Sequence, residues 1–212
     1  WRYLQPLGTL PALYGSGKCL VDEALRPLGV TPPWPQPPSF QNALVETIIT
    51  GCTAAINKQA LALLKIAGVP HGIYFHDWWL YLVVGAHGQV VLDPEPTLLY
   101  RQHGNNQIGQ GASFAARQAG MVQFLWRRDW ASILLTQIAV LMVHYGRSLS
   151  DAQRALVLGH FDVNPVAPKA RWRLLLGLQH WRQYPLHEPA LRLLLLAHRA
   201  RLWPLATRRL VR

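Results

Sequence analysis

The sequence predicts an α/β domain followed by an all-helical basic tail, and three observations carry that prediction. Residues 41–110 alternate short strand-like runs with helix-patterned segments, as an α/β layer requires. After about residue 111 the strand signals stop and leucine-rich helical patterns take over. The charge divides at the same place. Residues 1–110 hold six Lys/Arg and six Asp/Glu, whereas residues 111–212 hold fifteen basic and four acidic residues, and so the whole net charge of +11. Two regions are therefore expected, 1–110 and 111–212.

Residues 1–40 read as irregular. "VTPPWPQPPSF" (30–40) has five prolines in eleven residues and reads as extended, polyproline-like chain. Pro27 and Gly29 close a short helical run ahead of it. "VETIITGCTAAI" (45–56) reads as turn and strand, with Cys52 as a small core residue. "KQALALLKIAG" (58–68) reads as a helix stopped by Gly68. The next helix is predicted to start at His76 or Asp77 and to run to Gly88. "QVVL" (89–92) is a short strand turned by "DPEP", and "LLYRQHGNNQIG" (98–109) leaves that turn as a strand and then a loop. Gly104, Asn105, Asn106 and Gly109 suit left-handed backbone there.

From Ala112 to Tyr145 there is no proline, and Gly146 is a natural stop. Ser150 is placed to cap the following helix, Pro168 and Pro189 to open helices, and Pro204 to end the last one. The longest apolar stretch, "ASILLTQIAVLMV" (131–143), is short of the roughly 20 residues that a membrane span needs and carries Thr136 and Gln137.

The totals restrict the function classes. Two cysteines, Cys19 and Cys52, make no disulfide framework and no zinc spacing, which suits a reducing compartment. "GSGKC" (15–19) lacks the spacing and the hydroxyl of a phosphate loop. The basic second half calls for an anionic partner, either a nucleic acid or a membrane surface. The chain starts at Trp1, inside an apolar run, so further residues are expected ahead of it.

"YFHDWWLYL" (74–82) places one carboxylate, Asp77, among large rings. In the first turn of a helix it would accept backbone N–H bonds and be favoured by the helix dipole. By itself this is either a helix-capping Asp before core tryptophans or an acid held rigidly at the edge of a pocket.

"HDWWLYLVVGAHGQVVLDPEPTLLYRQHGNNQIG" (76–109), together with "FQNALVETIITGCTAAIN" (40–57), resembles the C-terminal half of the catalytic domain of family 2 glycosyltransferases, nearest the bacterial rhamnosyltransferase-like branch. "HDWW" and "LYRQHGNN" at this separation carry the likeness. Thr47 departs from it, standing where many relatives have asparagine. The resemblance implies the C-terminal, acceptor-side part of a GT-A (nucleotide-diphospho-sugar transferase) domain. That family's donor-binding half, with its Asp-x-Asp metal motif, is expected ahead of Trp1, since no Asp-x-Asp occurs in the 212 residues.

The same resemblance implies an inverting transfer from a nucleotide-diphosphate sugar, dTDP-rhamnose in that branch, to a glycan or lipid-linked acceptor in bacterial surface polysaccharide synthesis. Asp77 would be the general base, with His76 tuning it or facing solvent. Arg101, His103, Asn105 and Asn106 would lie over the diphosphate, with His103 also a ligand for a divalent metal, Mg or Mn, whose main ligands lie in the preceding half. Gly51, Thr53, Trp78 and Trp79 would stand on the acceptor side. The tryptophans would anchor the turn in the core or offer a flat face to a sugar. The bland alternatives are an Arg101 ion pair with Asp93 or Glu95, and a His103 that braces its loop.

Residues 170–212 mix leucines at helical spacing with Arg and Trp, which suits an interfacial helix on anionic lipid. The resemblance accordingly implies a peripheral protein at the cytoplasmic face of the bacterial plasma membrane. Two other readings stand beside it: a basic helical protein that binds membrane or nucleic acid without catalysis, and an inactive scaffold. Nucleic acid is disfavoured as a partner, because the charge avoids the α/β part and is threaded through leucine-rich helices.

Overall fold

The computed structural model describes residues 8–102, 130–161 and 181–197. His103, Gly104, Asn105, Asn106, Gly109, Pro168, Pro204 and most of the basic tail lie outside them. The described strands are β1 (Ala12–Val21), β2 (Pro27–Val30), β3 (Ala55–Ile56) and β4 (Gln89–Arg101). The described α-helices are α1 (Phe40–Val45), α2 (Lys58–Lys65), α3 (His76–His87), α4 (Trp130–Tyr145), α5 (Asp151–Phe161) and α6 (Glu188–Ala197). The result is a mixed α/β arrangement around an open sheet, compatible with an α/β transferase domain.

β1 is the centre of the sheet. β4 runs parallel along one edge of it, from Ala12↔Gln89 to Val21↔Arg101. β2 and β3 pair antiparallel with the two ends of the other edge, at Cys19–Val21 and Leu13–Tyr14. The parallel β1–β4 pair needs a long crossover, and α1, α2 and α3 supply it.

Local chemistry sets the helix ends. Ser39 Oγ accepts from Asn42 N at 3.0 Å and starts α1. Asn57 Oδ1 caps α2 by accepting from Ala60 N at 2.9 Å, and it also accepts from Ala12 N at 3.0 Å, which ties the helix to the start of β1. α3 ends at Gly88, where a Cβ would stand 2.0 Å from the Pro11 carbonyl oxygen, so only glycine lets the chain pass β1 there. Ser150 and Gln153 exchange bonds of 3.2 and 2.9 Å at the start of α5, the reciprocal pattern of a capping box.

Three sequence expectations are corrected. Residues 1–40 are not irregular throughout, since β1 and β2 lie within them. The expected helical run before Pro27 is a turn, closed by Asp22 Oδ1 accepting from Ala24 N and Arg26 N at 2.9 and 2.8 Å. "DPEP" does not end its strand. β4 continues to Arg101, and register shifts opposite Ser16–Cys19 absorb its extra length. Pro96 sits at one of these shifts, where strand prolines are tolerated.

The core lies between the sheet and the helices, and the described helices of the basic half share it. Trp78 and Trp130 stack at 4.8 Å and 18°, which joins α3 to α4. Tyr81, Leu82, Val83 and Val84 of α3 and Leu134, Ile138 and Leu141 of α4 are buried around that pair. Among the described residues, no helix is long and apolar enough to cross a membrane.

A second tie is polar. Glu46, just after α1, accepts from Arg182 Nη2 at 3.0 Å, Arg182 Nε at 3.2 Å, Asn42 Nδ2 at 2.8 Å and the backbone N–H of Gln183. All four residues are buried. Removing one member of a buried, bonded ion pair strands the other charge, at a cost of about 3–5 kcal/mol. Arg182→Met is therefore expected to lower unfolding stability by about 3 kcal/mol in urea titration, and adding Glu46→Gln should recover most of that loss.

Candidate functional site

The site forms where the 3₁₀ turn Gly51–Thr53 meets the first turn of α3. Asp77 Oδ1 accepts from Trp78 N at 2.8 Å and Oδ2 accepts from Gly51 N at 3.1 Å. Two backbone N–H groups, one from each element, thus fix the direction of the carboxylate. Asp77 is half-buried and His76 is exposed.

The His76 ring lies over the Cα of Gly51: a Cβ built there would stand 2.3 Å from His76 Nε2. Gly51 therefore serves close approach. The Gly51 N–H holds the acid, and its bare Cα makes room for the imidazole. Thr53 is buried and its hydroxyl donates to the Thr50 carbonyl at 2.9 Å, so it braces the turn from inside.

Of the two roles open to the tryptophans, the structure has the first. Trp78 is buried, stacks on Trp130 and donates Nε1–H to the Ala43 carbonyl at 2.7 Å. Trp79 is buried beside Tyr145, with ring centroids 6.0 Å apart. Neither ring offers a flat face to solvent. They make the support behind Asp77.

Lys18 joins the site and was missed in the sequence. Its ammonium donates to Thr50 Oγ1 at 2.9 Å and lies over the Tyr100 ring, 4.8 Å from the centroid. Burial lowers the Lys18 pKa, and the proximity of Cys52 and Asp77 pushes partly the other way. The one sequence signal was "GSGKC", which proves to be extended β1 and not a phosphate loop. Cys52 is exposed beside this cluster, not in the core as expected.

Arg101 ends β4 and is exposed. Neighbouring side chains of a strand leave it on opposite faces, so Arg101 points away from the face on which Tyr100 meets Lys18. The alternative ion pair with Asp93 or Glu95 is out of reach, because those residues lie roughly 20–27 Å back along the same strand. The Asp93 carboxylate instead accepts from Tyr14 Oη–H at 2.8 Å and Glu95 N at 3.0 Å.

Among the described residues, no three His, Cys, Asp or Glu side chains come together to hold a metal ion. The charged neighbour of Asp77 is a lysine. The described part of the site therefore does not fit a divalent cation, and His103 lies outside it. What the arrangement can do is receive a proton on a fixed carboxylate and present a positive charge nearby.

A curated protein of Shigella flexneri named dTDP-rhamnosyl transferase RfbG is 36% identical over 97 residues, which cover 42% of this chain and 34% of that protein. The chain spans about a third of the length of this relative. The match supports a glycosyltransferase relationship. No family model matches the chain, and no solved structure matches it.

Gly51→Ala is expected to displace the His76 ring while changing stability by only about 0.5 kcal/mol, because that ring is exposed and can swing aside. Imidazole ¹³C–¹H spectra check this: of the nine histidines, the His76 signal should move most.

Proposed function

We propose that this chain carries the acceptor side of an inverting family 2 glycosyltransferase of GT-A type, with Asp77 as general base. The observation that carries the reading is the Asp77 carboxylate itself. Both of its oxygens are aimed by backbone N–H groups from two different elements, at the rim of a turn and not inside the core. Each oxygen keeps a lone pair for a ligand. The likeness to a protein named as a dTDP-rhamnosyl transferase supports the reaction class and suggests dTDP-rhamnose as donor.

In the proposed step an acceptor hydroxyl of a glycan or lipid-linked sugar hydrogen-bonds to Asp77. Its oxygen attacks the anomeric carbon as its proton passes to the carboxylate, the bond from that carbon to the diphosphate oxygen breaks, and the configuration inverts. The tryptophan support keeps the base from drifting, so the reacting atoms need little reorganisation. His76, packed on Gly51, limits how far the turn can move and is assigned a positioning role. The donor side, including any Mg or Mn ligands and the roles of His103, Asn105 and Asn106, is assigned to residues beyond those described. Attachment to the inner face of the plasma membrane through the basic tail belongs to the same proposal.

The test uses the longest form of the protein that its gene encodes, assayed with dTDP-rhamnose and lipid-linked acceptor. Asp77→Asn keeps the side-chain shape and removes the base. Transfer should fall by about a thousandfold, with donor affinity within about twofold of the parent protein. Undiminished turnover would remove Asp77 from the mechanism.

A further inference from the structure

The cation at this site has an unusual standing. Lys18 is half-buried, yet its contacts are one neutral hydroxyl, Thr50 Oγ1 at 2.9 Å, and one ring, Tyr100 at 4.8 Å. It feels the charge of Asp77 without forming an ion pair with it among the described residues. A buried ammonium ordinarily takes a carboxylate partner, because desolvation without one is costly. The protein does build such a pair elsewhere, at Glu46 and Arg182. At Lys18 two of the three ammonium hydrogens have no acceptor among the described residues, and burial has already lowered the pKa.

The surroundings say which ligand fits. Residues 47–76, which supply the turn that touches Lys18, contain no acid, so an anion bound at the ammonium meets no carboxylate from that stretch. Thr50 holds the ammonium through Oγ1, and the next residue, Gly51, holds Asp77 through its N–H. A proton acceptor and a fixed positive charge are thereby set on the two ends of one short stretch of backbone, apart from each other. Group transfer with an anionic leaving group needs that separation: proton uptake at one end and charge stabilisation at the other.

We infer that Lys18 is a ligand-binding residue whose ammonium takes a phosphate-borne oxygen of a diphosphate at the Asp77 site. The inference rests on the proposed transfer reaction for its context, and the diphosphate has two chemical sources, a nucleotide donor or a lipid-diphosphate acceptor. Thr50 and Tyr100 are positioning residues for that ammonium.

Pyridoxal 5′-phosphate tests it, being an aldehyde that carries a phosphate arm. It condenses with a free amine to an imine with loss of water, and borohydride delivers hydride to fix the label. These 212 residues hold four lysines, Lys18, Lys58, Lys65 and Lys169, and peptide mapping tells Lys18 from the other three. The expected result is labelling of Lys18 about fivefold faster than of Lys58 or Lys65, suppressed about fivefold by millimolar inorganic pyrophosphate with the other lysines unaffected. Stronger protection by dTDP assigns the anion to the donor, stronger protection by geranyl diphosphate assigns it to the acceptor, and equal protection makes the diphosphate alone the recognised group. Lys18→Arg should retain pyrophosphate binding, followed by tryptophan fluorescence, and Lys18→Met should lose it. Lys18 labelling that pyrophosphate leaves unchanged, or equal binding by Lys18→Met, overturns the inference. None of these readouts needs sugar transfer, so they fail or succeed separately from the Asp77→Asn assay.

Discussion

The geometry around Asp77 depends on the backbone N–H of Gly51. It donates to Asp77 Oδ2 across 26 residues of chain and joins a 3₁₀ turn to the first turn of α3. A bond to an ionised carboxylate contributes about 1.5–3 kcal/mol, more than a neutral one. Its effect on geometry is larger than its energy suggests, because both partners are already immobile. α3 is pinned behind Asp77 by Trp78, through the Ala43 carbonyl and the Trp130 stack. The turn is braced by the Thr53 hydroxyl on the Thr50 carbonyl. With both sides fixed, the carboxylate has one direction.

Two acids of the α/β part illustrate how a structural carboxylate differs from one available to a ligand. Glu46 is buried and receives donors from Arg182, Asn42 and the Gln183 backbone, which leaves little acceptor capacity. It locks α1 to the segment before α6. Asp77 receives two backbone N–H groups and no cation within bonding distance among the described residues. The nearby positive charge, Lys18, is held back by Thr50 and Tyr100. One arrangement has closed its electrostatic account internally; the other keeps opposite charges apart, as a site that receives a ligand does.

How much of this was legible depended on how far apart the partners lie. α3 was readable at both ends, since an acid in the first turn and Gly88 at the end are local signals. α2, the Ser150 cap and Pro189 in the first turn of α6 were local too. β1 was not readable, because "GSGKC" puts two glycines and a lysine in mid-strand, and the strand exists only through β4, some 77 residues away. β4 was cut short on paper by Pro94 and Pro96, which here lie at register shifts and not in a turn. At the site, Asp77, His76 and Gly51 were named from the motif, and the structure brings the three together. Lys18 was not, because its one local signal, "GSGKC", lacks phosphate-loop spacing, and its partners Thr50 and Tyr100 lie 32 and 82 positions away.

The proposed transfer requires the fixed Asp77 carboxylate to face the hydroxyl that reacts. A crystal structure of the longest encoded form with acceptor glycan and a non-transferable nucleotide sugar measures this directly. It should place one acceptor oxygen about 2.6–3.2 Å from an Asp77 oxygen, with the Gly51 N–H bond still made. An acceptor bound elsewhere, with Asp77 facing solvent or turned onto Lys18 as an ordinary ion pair, would contradict it.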